Sequence, residues 1–246
     1  MRLFQPSQPQ IAGRNVQVAA PISTEGVFVL KSVRLFFKKN GPLRFVSHLD
    51  MNRVMIRLLR LSKVPVWYTE GFNRHPYITF ALPLSLGFSS EYEVMDFRFD
   101  NDSFEISRAE KMIANVCPKG IDVIALKEPI YKSGKIALAD FEVSFSADSK
   151  ANEESLNRFL TAKSIPVLKT TKKGGAKEID LSEKIKGFAL KTEDVLKLTI
   201  RLPAGGEDNV NPKILLDKYM EIIGDIAGFY EINRTGLFLA DGTKFE

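Results

Sequence analysis

The sequence predicts an α+β protein of two tandem ferredoxin-like units, each running β-α-β-β-α-β on an antiparallel sheet. Three observations point there. Strand and helix periodicities follow one another in that order from residue 33 to 126, and a fainter pass of the same order runs from 141 to 239. The length of 246 residues, 44% of them apolar and 26% charged, suits two modest cores better than one large one. The expected organisation is a flexible tail or linker remnant over 1–28, a first unit over 29–130, a linker over 131–140 and a second unit over 141–242.

Val33-Arg34-Leu35-Phe36-Phe37 reads as the first strand, ended by the turn Asn40-Gly41-Pro42. Ser47 to Leu61 reads as a helix. Ser47 and Asp50 have the spacing of a capping box, Leu49, Val54, Leu58 and Leu61 are the expected apolar stripe, and Arg53, Arg57 and Arg60 fall on another face. Strands are expected around Tyr77–Leu82 and Tyr92–Asp100. A second helix, capped by Asp102 and carrying Ile106, Ala109, Ile113 and Val116, stops at Pro118 and Gly120, and Asp122–Leu126 is a short strand. In the second unit Phe141–Phe145 alternates as a strand and Ser149–Leu160 reads as a helix. Val167 to Leu190 is irregular, with an exposed basic hairpin or loop holding Lys169, Lys172, Lys173, Gly174, Gly175 and Lys177. Leu196–Leu202 alternates strictly, Asn211-Pro212 opens a helix that Gly224 closes, and Tyr230–Asn233 and Gly236–Leu239 finish as strand.

Composition excludes several classes. No run approaches the roughly 20 apolar residues of a membrane helix. The start lacks the apolar core and cleavage site of a secretory signal, so the expected address is the reducing cytoplasm. A single cysteine, Cys117, forms no internal disulfide and cannot by itself hold an iron–sulfur cluster or a Cys-rich zinc site. No HExxH, phosphate-binding GxxxxGK[ST] or dinucleotide-binding GxGxxG occurs, so neither a metal site nor a cofactor is expected. The net charge is only +5, but Lys31 to Tyr77 holds ten basic residues against two acidic ones, a local excess of +8. Such a field concentrates polyanions, above all phosphate backbones. A solvated basic face without a partner would have the same composition.

Chemistry can be placed at a few positions. Both histidines, His48 and His75, lie in the basic segment, and imidazole is the natural group for proton transfer near neutrality. His48 and Asp50 are the candidates for acid–base work, while a helix start also explains both, as a structural hydrogen bond and a cap. Arg44, Arg53, Arg57, Arg60 and Arg74 are candidate phosphate contacts. The turn Gly71-Phe72-Asn73-Arg74-His75-Pro76 is polar, aromatic and turn-rich at once, and its Phe72, Asn73 and His75 suit recognition of a base or small ligand.

Gly41-Pro42-Leu43-Arg44-Phe45-Val46-Ser47-His48-Leu49-Asp50 resembles the signature of the radical SAM-linked proteins of the DUF2344 family. Glu70-Gly71-Phe72-Asn73-Arg74-His75-Pro76, followed by Phe80 to Gly87, is similar to that family's second block, with Arg74 where proline is usual, and the hairpin leading to Glu178-Ile179-Asp180-Leu181 matches as well. The resemblance implies a chain that works beside a radical SAM protein. With its lone Cys117 it would not be that enzyme itself. Combined with the basic segment, it implies an RNA-binding accessory or substrate-presenting module in RNA (tRNA or rRNA) modification. Two other readings stay open: a metal-independent RNA-processing enzyme using His48, and a protein-docking module for the radical SAM partner. The former is similar, at the level of fold alone, to CRISPR repeat endoribonucleases, whose C-terminal glycine-rich loop is not reproduced by Gly224, Gly228 and Gly236.

Overall fold

A computed structural model describes residues 30–170, 176–206, 208–226 and 228–246; the expected tail over 1–28, and Lys172, Lys173, Gly174 and Gly175 of the basic hairpin, lie outside the described residues. The first half of the chain contributes β1 (Lys31–Lys39), α1 (His48–Ser62), β2 (Ile78–Phe80), β3 (Ser89–Phe99), α2 (Ile106–Ala114) and β4 (Ile121–Lys127). The second contributes β5 (Leu138–Phe145), α3 (Glu153–Leu160), β6 (Pro166–Thr170), β7 (Ala176–Asp180), β8 (Gly187–Thr192), β9 (Leu196–Pro203), α4 (Pro212–Ile222) and β10 (Tyr230–Phe238). The result is a mixed α+β fold with a mostly antiparallel sheet and, among the described residues, four α-helices.

The two halves share one sheet in the order β4-β1-β3-β10-β5-β9-β8. The far edge of β3 is divided: β2 pairs with it over Ile78↔Phe97 to Phe80↔Met95, and β10 joins it in parallel through Asn233↔Ser89 and Arg234↔Ser90. β6 and β7 form a separate hairpin. Strand parity divides the core. Val33, Leu35 and Phe37 of β1 and Met95, Phe97 and Phe99 of β3 pack under α1 and α2. Phe36, Tyr92 and Val94, on the opposite face, join the larger core of the second half with Val143, Leu198, Tyr219 and Phe245. Fully burying each such large apolar side chain is worth about 1.5–3 kcal/mol, so the shared core ties the halves together.

Several boundaries move from the sequence expectation. The inner face of α1 is Met51, Met55, Leu58, Leu59 and Ser62, whereas Leu49 and Leu61 of the expected stripe are exposed. At 100° per residue, positions 51, 55, 58, 59 and 62 share one side and 49 falls opposite, so the two methionines set the phase. Asp102 is not the cap of α2: Asn101 folds 101–103 into an Asx-turn, its Oδ1 accepting from the Ser103 N–H (3.0 Å), and the helix starts after Glu105. α3 begins at Glu153, capped by Asn152, whose Oδ1 accepts from the Ser155 N–H (3.0 Å), while Ser149 makes a turn of its own by accepting from the Ala151 N–H (3.2 Å). The expected linker over 131–140 ends early, since β5 takes up Leu138 to pair with both Pro203 and Phe238. β8, within the stretch read as irregular, is an edge strand whose alternation is short: only Phe188 and Leu190 turn to the core, between exposed neighbours.

Candidate nucleic-acid interface

α1 starts as its sequence dictates. Ser47 Oγ accepts from the Asp50 N–H (3.1 Å) and donates to the Asp50 carboxylate (2.8 Å). The same carboxylate takes Arg53 Nη1 at 2.7 Å. The Ser47 hydroxyl first, then Arg53, hold Asp50 below the usual carboxylate range, so it stays ionised and is a poor proton donor or acceptor near neutrality. Arg53, Arg57 and Arg60 all stand exposed on the helix, spread over about 10 Å of its axis.

Arg60 reaches beyond the helix. Its Nη2 donates to the main-chain carbonyl of Arg74 (3.1 Å), bringing the turn to the basic face. The turn is pinned at its base by the Thr69 N–H on the His75 carbonyl (2.8 Å) and by the Tyr68–Pro76 bridge. Within it His75 Nδ1 lies 2.8 Å from the Asn73 carbonyl, which can only accept, so Nδ1 carries a proton there. Gly71, at φ +114°, takes a conformation L side chains rarely adopt. Phe72 beside it is fully exposed, with Asn73 and Arg74 exposed alongside.

His48 faces elsewhere. Its Nε2 lies 3.1 Å from Asn52 Nδ2, whose amide also donates to the His48 carbonyl (2.8 Å), and its ring stands edge-on to Phe80 at 5.1 Å. The crevice behind it, lined by Lys39, Phe80 and Glu93 among others, is about 10 Å³, room for a water and not for a nucleotide. His48 and Asp50 thus engage different partners, and among the expected site residues the structure joins Arg60 to the turn through the Arg74 carbonyl, with Arg53 and Arg57 exposed on the same helix.

Residues 32–212 match the model of a family described as "Uncharacterized protein conserved in bacteria (DUF2344)". The chain belongs to this family. No curated protein matches it. Among solved structures it is similar to the crystal structure of a candidate glycine cleavage system transcriptional repressor, at 9% identity, over 84% of this chain and 98% of that one. The TM-score is 0.25, too slight a likeness to transfer a fold or a role.

Arg44 of this DUF2344 chain is turned away to another place. Its Nη1 donates to Glu231 of β10 (2.5 Å) and its guanidinium lies over Phe45, on the wall of a cleft of about 470 Å³ between the halves. Across that cleft Tyr230 donates to Asp217 (2.5 Å), which also holds Lys213 (2.6 Å). Burial first, then the hydrogen bond to Asp217 and its charge, push the Tyr230 hydroxyl's pKa up. A buried charge group closes the seam: Arg234 Nη2 donates to Glu93 (2.6 Å) and to the Leu82 carbonyl (2.9 Å), and Lys39 Nζ to the Val46 carbonyl (3.3 Å). Sequence reading missed Arg98, which lies outside the basic segment. The alternation of β3, with Asp96 and Arg98 between Met95, Phe97 and Phe99, was the signal that could have found it.

Proposed function

We propose that this chain is an RNA-binding accessory that presents substrate to a radical SAM partner in the cytoplasm, built as two ferredoxin-like units joined edge to edge. The strand orders β4-β1-β3-β2 and β10-β5-β9-β8 support that architecture, each running fourth-first-third-second within its half, with the β6–β7 hairpin an insertion in the second. The partnership is supported by the signature blocks Gly41–Asp50 and Glu70–Gly87, which resemble those of proteins fused to or encoded beside radical SAM enzymes.

One observation carries the RNA reading: Arg60 docks a turn bearing the fully exposed Phe72 against a helix face of three solvent-exposed arginines. Cations in a row hold phosphates, and an unpacked ring next to them stacks on an unpaired base. Exposing a phenylalanine to water forgoes about 1.5–3 kcal/mol of burial, a cost that a binding role accounts for.

The test is a salt titration of the purified protein against labelled small RNA, read on native and denaturing gels. Binding is expected to weaken steeply with salt without new fragments. The combined Arg53→Ala, Arg57→Ala, Arg60→Ala variant is expected to flatten the log–log salt slope by about 2, at roughly 0.7 per single-strand phosphate contact. An unchanged slope in that variant, or no binding at low salt, overturns the RNA reading. Fragments that disappear with His48→Ala would make the chain a nuclease instead.

A further inference from the structure

On the face of the sheet opposite α1 and α2, the second core covers only one end of the first half. There Phe36, Tyr92 and Val94 are buried, and the Tyr92 hydroxyl donates to the Phe245 carbonyl (3.0 Å). The other end is open. Ser32 and Arg34 of β1, Thr79 of β2 and Asp96 and Arg98 of β3 face a cavity of about 450 Å³, walled on its far side by the 129–133 connection with Tyr131 and Lys132. That volume lies in the usual range for small-molecule sites.

The floor of this cavity is rigid. Arg34 is 1% exposed, and its Nε and Nη2 grip both oxygens of Asp96 (2.7 and 2.8 Å), with Nη1 on the Glu246 carbonyl (2.9 Å) and Ser133 Oγ on Asp96 (3.2 Å). One wall is an aromatic and cationic cluster. The Arg98 guanidinium lies 5.6 Å from the Tyr77 ring and 5.8 Å from the Trp67 ring, and those rings meet edge-on at 5.5 Å and 63°. Arg34 and Asp96 cancel, so Arg98 and Lys132 leave the cavity net positive. Planar aromatic and guanidinium surfaces beside hydroxyls and unbalanced cations match the chemistry of a nucleotide: a π-face, a hydrogen-bonding edge and a negative phosphate.

We propose that this cavity receives one base of a single-stranded RNA, stacked on Tyr77 and Arg98 with its phosphate toward Lys132. The proposal rests on the RNA-binding reading above and adds the place where a base is held. The chain itself provides the route. Trp67 N–H donates to the Arg98 carbonyl (2.8 Å) and Tyr77 N–H to the Trp67 carbonyl (3.1 Å), so the loop whose tip carries Phe72 beside α1 ends with Tyr77 in the cavity wall. An RNA held by Arg53, Arg57 and Arg60 passes Phe72 around the sheet edge and delivers the next base to Tyr77.

Trp67 is the only tryptophan of the chain, and its ring, edge-on to Tyr77 at 5.5 Å, reports on the cavity wall. The full-length protein is titrated with a 12-mer oligoadenylate and, as a base-free polyanion, with inorganic polyphosphate. Oligoadenylate is expected to change Trp67 emission at saturation and polyphosphate to bind without doing so. Tyr77→Ala is expected to weaken oligoadenylate about tenfold, as loss of one stacked base does, with an unchanged salt slope and unchanged polyphosphate affinity. Should Tyr77→Ala not fold, Arg98→Lys, which keeps the charge and removes the plane, serves with the same expected loss. Full oligoadenylate affinity in the folded variant, or equal Trp67 responses to both polyanions, overturns the base pocket while leaving the α1 reading in place. If neither polyanion binds at low salt, the RNA-binding reading falls and the pocket with it.

Discussion

Arg60 donates from Nη2 to the main-chain carbonyl of Arg74, 3.1 Å away and 14 residues along the chain. This single contact fastens the 71–76 turn to α1, so the turn's position depends on a side chain that would also hold a phosphate. Arg60→Ala is therefore expected to do two things where Arg57→Ala does one. Both variants should lose RNA affinity, but only Arg60→Ala should speed amide exchange across residues 70–76. Equal exchange in the two variants would show that the turn stands without Arg60.

His48 is held by Asn52 and Phe80 above a crevice no larger than one water. His48→Ala should lower stability by about 1 kcal/mol, for one hydrogen bond and one ring contact, and leave RNA affinity unchanged. Urea denaturation and the gel titration measure the two effects. RNA fragments made by the native protein and not by the variant would reverse this assignment.

Arg234 and Glu93 are 2% and 3% exposed, on β10 and β3, where the two halves join. Removing one member leaves a buried charge without its partner. Arg234→Met is expected to destabilise the protein by about 3–5 kcal/mol in urea, and adding Glu93→Gln should recover part of that loss. Additive losses in the double variant would mean that the pair is not energetically coupled.

Cys117 is half-buried with its thiol on the Ile113 carbonyl (3.4 Å), and burial pushes its pKa up to about 11. The folded protein therefore keeps the thiol protonated where the unfolded chain ionises it. The stability this contributes is complete below about pH 9 and is lost as pH rises toward about 11. Alkylation at pH 8 should be slow in the folded protein and fast in urea, and Cys117→Ala should reduce the loss of stability between those pH values. Rapid alkylation of the folded protein would show the thiol to be accessible and ionised.

Much of this was legible locally. Ser47 and Asp50 mark the start of α1 because a cap is made by residues three apart, and the exposed positions of Arg53, Arg57 and Arg60 follow from helix pitch. Asp102 misled because Asn101, one residue earlier, offers the backbone a competing turn. β8 was missed because its alternation holds only two large apolar residues, Phe188 and Leu190, on a sheet edge. Arg44, grouped by sequence with the other arginines, belongs to Glu231, 187 residues away, and no local pattern encodes that choice.

By itself the sequence determined the order of strands and helices in the first half, the concentration of positive charge between Lys31 and Tyr77, and the turn around Phe72, since each depends on composition, periodicity or backbone preference within a short stretch. Tertiary structure alone decided that β10 would join β3 and make one sheet of two halves. It also decided which arginines would be spent on internal partners, Arg34 on Asp96, Arg44 on Glu231 and Arg234 on Glu93, and which would remain for a ligand. The reason is that burial and charge pairing are settled by neighbours in space. The cavity between Arg34, Tyr77, Arg98 and Lys132 exists only once four distant segments have been brought to one face.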